Sequence, residues 1–179
     1  MSSGSGERVY HERSTRGSER FGGRAAVMNV ATDEGELGSF TEILQRRVEN
    51  WLASEESRRF PCAHLYRHLP DLFLLLAELS LDPAVDPRER TAVRSALKYI
   101  VAPFDLVPEG VVGTAGYRDD LVLAAYMVER LGASAGAEAL RGRWHHDGDP
   151  AAIARLILDA ASDLVGGEIC SRLRTWAPA

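Results

Sequence analysis

Four carboxylates fall within sixteen positions: Asp105, Glu109, Asp119 and Asp120. They belong to the stretch Ala-Pro-Phe-Asp-Leu-Val-Pro-Glu-Gly-Val-Val-Gly-Thr-Ala-Gly-Tyr-Arg-Asp-Asp-Leu, running from Ala102 to Leu121. Carboxylates gathered on a stiff loop can hold a hard divalent cation through oxygen ligands. Here Pro103 and Pro108 stiffen the backbone, and Gly110, Gly113 and Gly116 permit left-handed turns. The spacing matches no calcium-loop pattern. The same residues also have a purely structural reading. Asp105 lies between the two prolines, where its carboxylate can accept loop amides. Asp119 and Asp120 stand at a helix entrance, where the dipole favours negative charge. On that reading Asp105 and Asp119 anchor the turn, and Glu109 and Asp120 remain for a partner or a cation. No cofactor is expected beyond such a divalent cation.

Other polar groupings carry less. His64 and His68 are four apart with Cys62 nearby, but a zinc site needs three or four ligands and nothing supplies the rest at a recognised spacing. His145-His146-Asp147 precedes a helix start and reads as a coincidence of polar loop residues. There is no Gly-x-Ser-x-Gly elbow, phosphate loop or catalytic cysteine signature. The formal net charge of -5 gives no overall attraction to nucleic acid or anionic lipid. Two distant cysteines, Cys62 and Cys170, make no disulfide framework, which suits a reducing cytoplasm. The start of the chain has no apolar signal segment, and no apolar run reaches the length of a membrane span. Basic charge is almost all arginine, Lys98 being the single lysine, a composition that fits a GC-rich bacterial genome.

The elements that must position the acidic loop read as helices throughout. Residues 1–38, rich in Ser, Gly, Arg and Glu, form an expected disordered tail, and residues 39–179 one helical domain of about five to seven helices. Ser39 with Glu42 has capping-box spacing, and Ile43, Leu44, Val48, Trp51 and Leu52 follow as an apolar stripe. Pro70 opens a second helix through Leu72, Phe73, Leu74, Leu75, Leu76 and Leu79, apolar nearly all round and so expected at the centre of the bundle. Asp86, Pro87 and Glu89 start a third, with Val93, Ala96, Leu97, Ile100 and Val101 inside and Pro103 as its stop. A fourth begins near Asp119 with Leu121, Ala124, Ala125, Val128 and Leu131 on one face, and Gly132 ends it. A weaker helix covers Ser134 to Arg143. Asp149 and Pro150 open another, burying Ile153, Leu156, Ile157, Ala160 and Leu164. Gly166 and Gly167 close it before a last amphipathic turn with Ile169, Leu173 and Trp176.

The loop resembles the YkvA-like family. The resemblance rests on Tyr99, Pro103, Asp105, Pro108, Glu109, Gly113, Gly116, Tyr117, Asp119 and Asp120. It extends loosely to Leu69-Pro70-Asp71-Leu72-Phe73 upstream and to Trp144–Arg174 downstream, so that about Phe40 to Trp176 is covered. A related segment occurs near the C-terminus of some membrane-bound RING-type ubiquitin ligases. The resemblance implies a small all-α bundle and no agreed activity. Arg118 stands where the family usually has an apolar residue.

Three functions follow as expectations. The first is a non-catalytic interaction or scaffold module that offers the Pro103–Asp120 loop to a protein partner. The second is a metal-dependent hydrolase using the acidic loop, with Tyr117 and Arg118 as the local base or electrophile. The third is a cytoplasmic protein that touches a membrane peripherally through Phe104, Leu106, Val107, Val111 and Val112. No nucleic-acid partner is expected.

Overall fold

Apolar residues at three- and four-residue spacing, punctuated by Asp-Pro pairs and glycines, leave the chain only helices to form. The computed structural model describes residues 34–101 and 117–176. Among these it has eight α-helices, two 3-10 helices and no strand. The helices are α1 (Glu34–Leu52), α2 (Leu69–Leu81), α3 (Pro87–Val101), α4 (Arg118–Ser134), α5 (Ala137–Gly142), α6 (Pro150–Asp159), α7 (Ala161–Val165) and α8 (Gly167–Trp176). The 3-10 helices Ser57–Arg59 and Ala63–His68 join α1 to α2. The all-α architecture is as the patterning requires. The helix total exceeds the expected five to seven because the C-terminal stretch is cut at Ala160 and Gly166 into three short pieces. Gly166 sits at φ 79°, where a side chain is disfavoured.

Several starts and stops follow their local chemistry. The Asp86 carboxylate accepts the Arg88 amide at 2.7 Å, and Asp149 accepts the Ala152 amide at 3.2 Å. Pro70, Pro87 and Pro150 each lie in a first turn, where a missing N–H is harmless. Other expectations need correcting. Helix α1 begins at Glu34 and takes in Ser39, which the capping-box spacing had set at its entrance. Glu89, expected to complete the α3 capping box, is engaged by another helix. Its carboxylate takes a bidentate pair from Arg130 of α4, at 2.7 and 3.0 Å. Gly132 does not end α4, which runs on to Ser134. A Cβ there would meet Leu140 Cδ1 at 3.3 Å, so the glycine lets α5 approach.

Burial settles which stripes are core. On α1 the inward line is Phe40, Leu44, Val48 and Trp51, while Ile43 is 44 % exposed. Ile43 lies one residue before Leu44, about 100° round the helix axis, and so misses the interface. Leu156 is 51 % exposed for the same reason, beside the buried Ile157. All five expected positions of α3 are buried. Helix α2 is as apolar as expected, but α4 is the more enclosed. Every residue from Asp119 to Val128 is buried, since α4 packs against α2, α3, α5, α6, α7 and α8. A single core cluster runs through all these helices. Phe40 meets Phe73 at 4.8 Å between rings, and Trp51 meets Tyr66 at 4.8 Å, which fixes α1 and the connecting 3-10 helix to α2.

Candidate functional site

The first turn of α4 carries the sequence Arg118-Asp119-Asp120, and its N-cap position is held by Tyr117. Because α4 is surrounded, this turn is surrounded too. Asp119 and Asp120 are both 0 % exposed, and Tyr117 is 2 % exposed. Two adjacent carboxylates inside a helical core are costly without hydrogen-bond donors. Tyr99, near the end of α3, supplies one: its hydroxyl donates to Asp119 Oδ2 at 2.8 Å. Asp119 thus ties α3 to α4 at the point where segment 102–116 leaves one helix and rejoins the other. It does so from within the first turn, two residues past the N-cap Tyr117.

Asp120, which the sequence left for a partner or a cation, has its carboxylate inside the bundle, in the buried run from Asp119 to Val128; Arg118 of the same turn is partly exposed. Asp105 and Glu109, like Pro103, Pro108, Gly113 and Gly116, lie outside the described residues. Among the described residues no three His, Cys, Asp or Glu side chains converge as metal ligands. Cys62, His64 and His68 make no such group either; Cys62 instead starts the second 3-10 helix in a left-handed conformation, φ 59°.

Several residues around the acid pair escaped sequence reasoning. Tyr66 is fully buried, and burial pushes its phenol well above the ordinary tyrosine range. Arg118 acts against that rise, and Asp119 and Asp120 add to it. Arg47 of α1 donates to the Tyr117 hydroxyl at 3.0 Å. The Arg118 guanidinium lies 5.8 Å from the centre of the Phe60 ring, and Phe60 in turn packs edge-on against Trp51 at 5.7 Å. The Arg118 guanidinium therefore lies beside an aromatic ring that is itself packed on α1. Tyr66 and Arg47 lie far from the loop in sequence, and no spacing pattern connects them to it. The site is a cluster of tyrosines, arginines and carboxylates where the start of α4 meets α1, α3 and the second 3-10 helix. Two surface cavities, of about 540 and 610 Å³, lie elsewhere, one beside Arg130 and Arg174, the other beside Leu81 and His145.

With that geometry in view, comparison with known proteins is informative. Residues 89–126 match the family model described as a protein of unknown function, DUF1232. This is the YkvA-like family. The YkvA-like match takes in most of α3, the segment that follows and the first half of α4, so Tyr99, Asp119 and Asp120 all fall inside it. The looser likeness on either side, from Phe40 and on to Trp176, lies beyond the matched residues. A protein of Methanothermobacter thermautotrophicus, described as uncharacterized protein ORF9, is 29% identical over 77 residues. That is 43% of this chain and 53% of the relative, so the chain spans about half the length of the curated relative it matches. No solved structure matches the chain at a significant level. No helix among the described residues is long and apolar enough to cross a membrane.

Proposed function

We propose that the chain is a non-catalytic interaction module that offers segment 102–116 to a protein partner from a rigid α3–α4 base. One observation carries this reading: the two aspartates of the family motif are buried, and Asp119 is engaged by Tyr99. Acids that work on a substrate must reach it, whereas Asp119 joins α3 to α4 and Asp120 is enclosed beside it. Val101 and Tyr117, the described residues that flank it, are buried as well. The partner is a protein in the cytoplasm.

A photo-crosslinker placed at Val111 tests the proposal, with one at Arg155, exposed on α6, as control. Val111 should capture a specific protein in the source cell, and Arg155 should not. Capture should weaken when Glu109→Ala is added. Equal capture from both positions would defeat the reading. A metal-dependent hydrolase is the competing account, since Asp105 and Glu109 belong to the segment that departs from the acid pair; cation-dependent turnover lost in Asp120→Asn would favour it.

A further inference from the structure

Helix α2 carries Asp71 and Glu78, with Asp82 just past its end. Positions i, i+7 and i+11 share one helix face, so these three carboxylates form a row. The connection between α5 and α6 lies along it. Arg143 donates to Asp82 at 2.8 Å, His145 Nε2 lies 3.1 Å from Glu78, and His146 Nε2 lies 3.1 Å from Asp71. Trp144, between them, packs against the core and meets the His146 ring edge-on at 5.4 Å. Each basic group of the connection therefore has its own carboxylate, in a ladder of three rungs.

We propose that residues 143–146 form a pH-dependent strap, fastened across α2 when His145 and His146 are protonated and loosened when they are neutral. The Arg143–Asp82 rung contains no histidine, and so marks the fixed end. The other two rungs are ion pairs only with imidazolium, and histidine changes charge between about pH 5 and 8. Charged groups facing His145 are Glu78, Asp82 and Arg143, which line one cavity with it. His146 faces Asp71 of α2 and the Trp144 ring. Asp147 belongs to the connection itself. Burial raises Asp71 above the usual carboxylate range, with His146 acting against that rise. The acid side of the fastened window therefore closes sooner than for an ordinary aspartate. The fastened strap forms one wall of the 610 Å³ cavity, whose other wall holds Leu74, Ala77 and Leu81. Loosening it exposes more of that apolar floor.

Amide hydrogen exchange over residues 143–149 of the full chain tests this, at pH 6 and pH 8 after correction for intrinsic rates. Wild type should lose protection about threefold to tenfold on going to pH 8, the range for two exposed ion pairs acting together. His145→Gln with His146→Gln should remove that pH response while the amides of α4 stay as protected as before. Glu78→Gln with Asp71→Asn should remove it from the acidic side of the same rungs. A pH response equal in wild type and both double variants overturns the proposal, as does its absence in wild type.

Discussion

Replacing Tyr99 by Phe removes one hydroxyl and leaves the ring in place. That hydroxyl donates to Asp119 Oδ2 at 2.8 Å inside the bundle, where Asp119 has no exposed surface. Water cannot take the vacated place without opening the α3–α4 contact. A hydrogen bond to a charged group contributes about 1.5–3 kcal/mol. For a chain of this size each kcal/mol moves the midpoint by about 2–4 °C, so the expected fall is about 3–12 °C. Urea unfolding followed by circular dichroism should give the same loss with an unchanged slope, as both states keep their exposed area. Asp119→Asn should also destabilise, and the pair should couple by about 0.5–3 kcal/mol in a double-mutant cycle. A loss under about 0.5 kcal/mol for Tyr99→Phe, or strict additivity, would refute the bracing role of Asp119.

Other perturbations address the core and its titrating groups. Leu75→Ala, at a site 1 % exposed, should cost about 2–5 kcal/mol in chemical denaturation. Gly132→Ala should change stability by less than about 1 kcal/mol, because helix propensity and the Leu140 contact oppose each other, whereas Gly132→Leu should cost about 1–3 kcal/mol. Burial holds the folded Tyr66 phenol above its unfolded value, so its contribution is full below about pH 10 and lost as pH rises through the folded value; Tyr66→Phe should flatten the alkaline limb of the stability curve. Burial, then Arg67 and His64, lower His68, so its contribution is present above the unfolded value of about pH 6.5 and lost as pH falls through the folded one. His68→Gln should therefore flatten the acid limb, as read from midpoints between pH 4 and 7.

What the sequence made legible was the local part. The Asp86-Pro87 start and the inward line of α3 could be read directly, because a cap, a proline and a 3.6-residue period are all local signals. Ile43 and Leu156 were misassigned because neighbouring apolar residues on a helix differ by about 100°, and only the partner helix decides which is inside. The burial of Asp120 was not legible for a related reason. Its residue type argues for solvent, and only the packing of α4 on nearly every other helix puts it in the core. The partnership of Glu89 with Arg130 and that of Tyr99 with Asp119 join different helices and left no spacing to detect. The histidine rungs were not legible, and His145-His146-Asp147 read as a coincidence of polar loop residues. Asp71, Glu78 and Asp82 share a face in sequence, but nothing in sequence says that residues 143–146 lie against it.

Thermal unfolding of wild type and Asp120→Asn, each with and without magnesium, calcium or manganese, bears most directly on the reading of the acid pair as a brace. The account predicts a wild-type midpoint that none of the three ions moves, and a lower midpoint for Asp120→Asn in every buffer. A saturable rise with one ion in wild type, lost in Asp120→Asn, would be stabilisation by a bound cation and would contradict it.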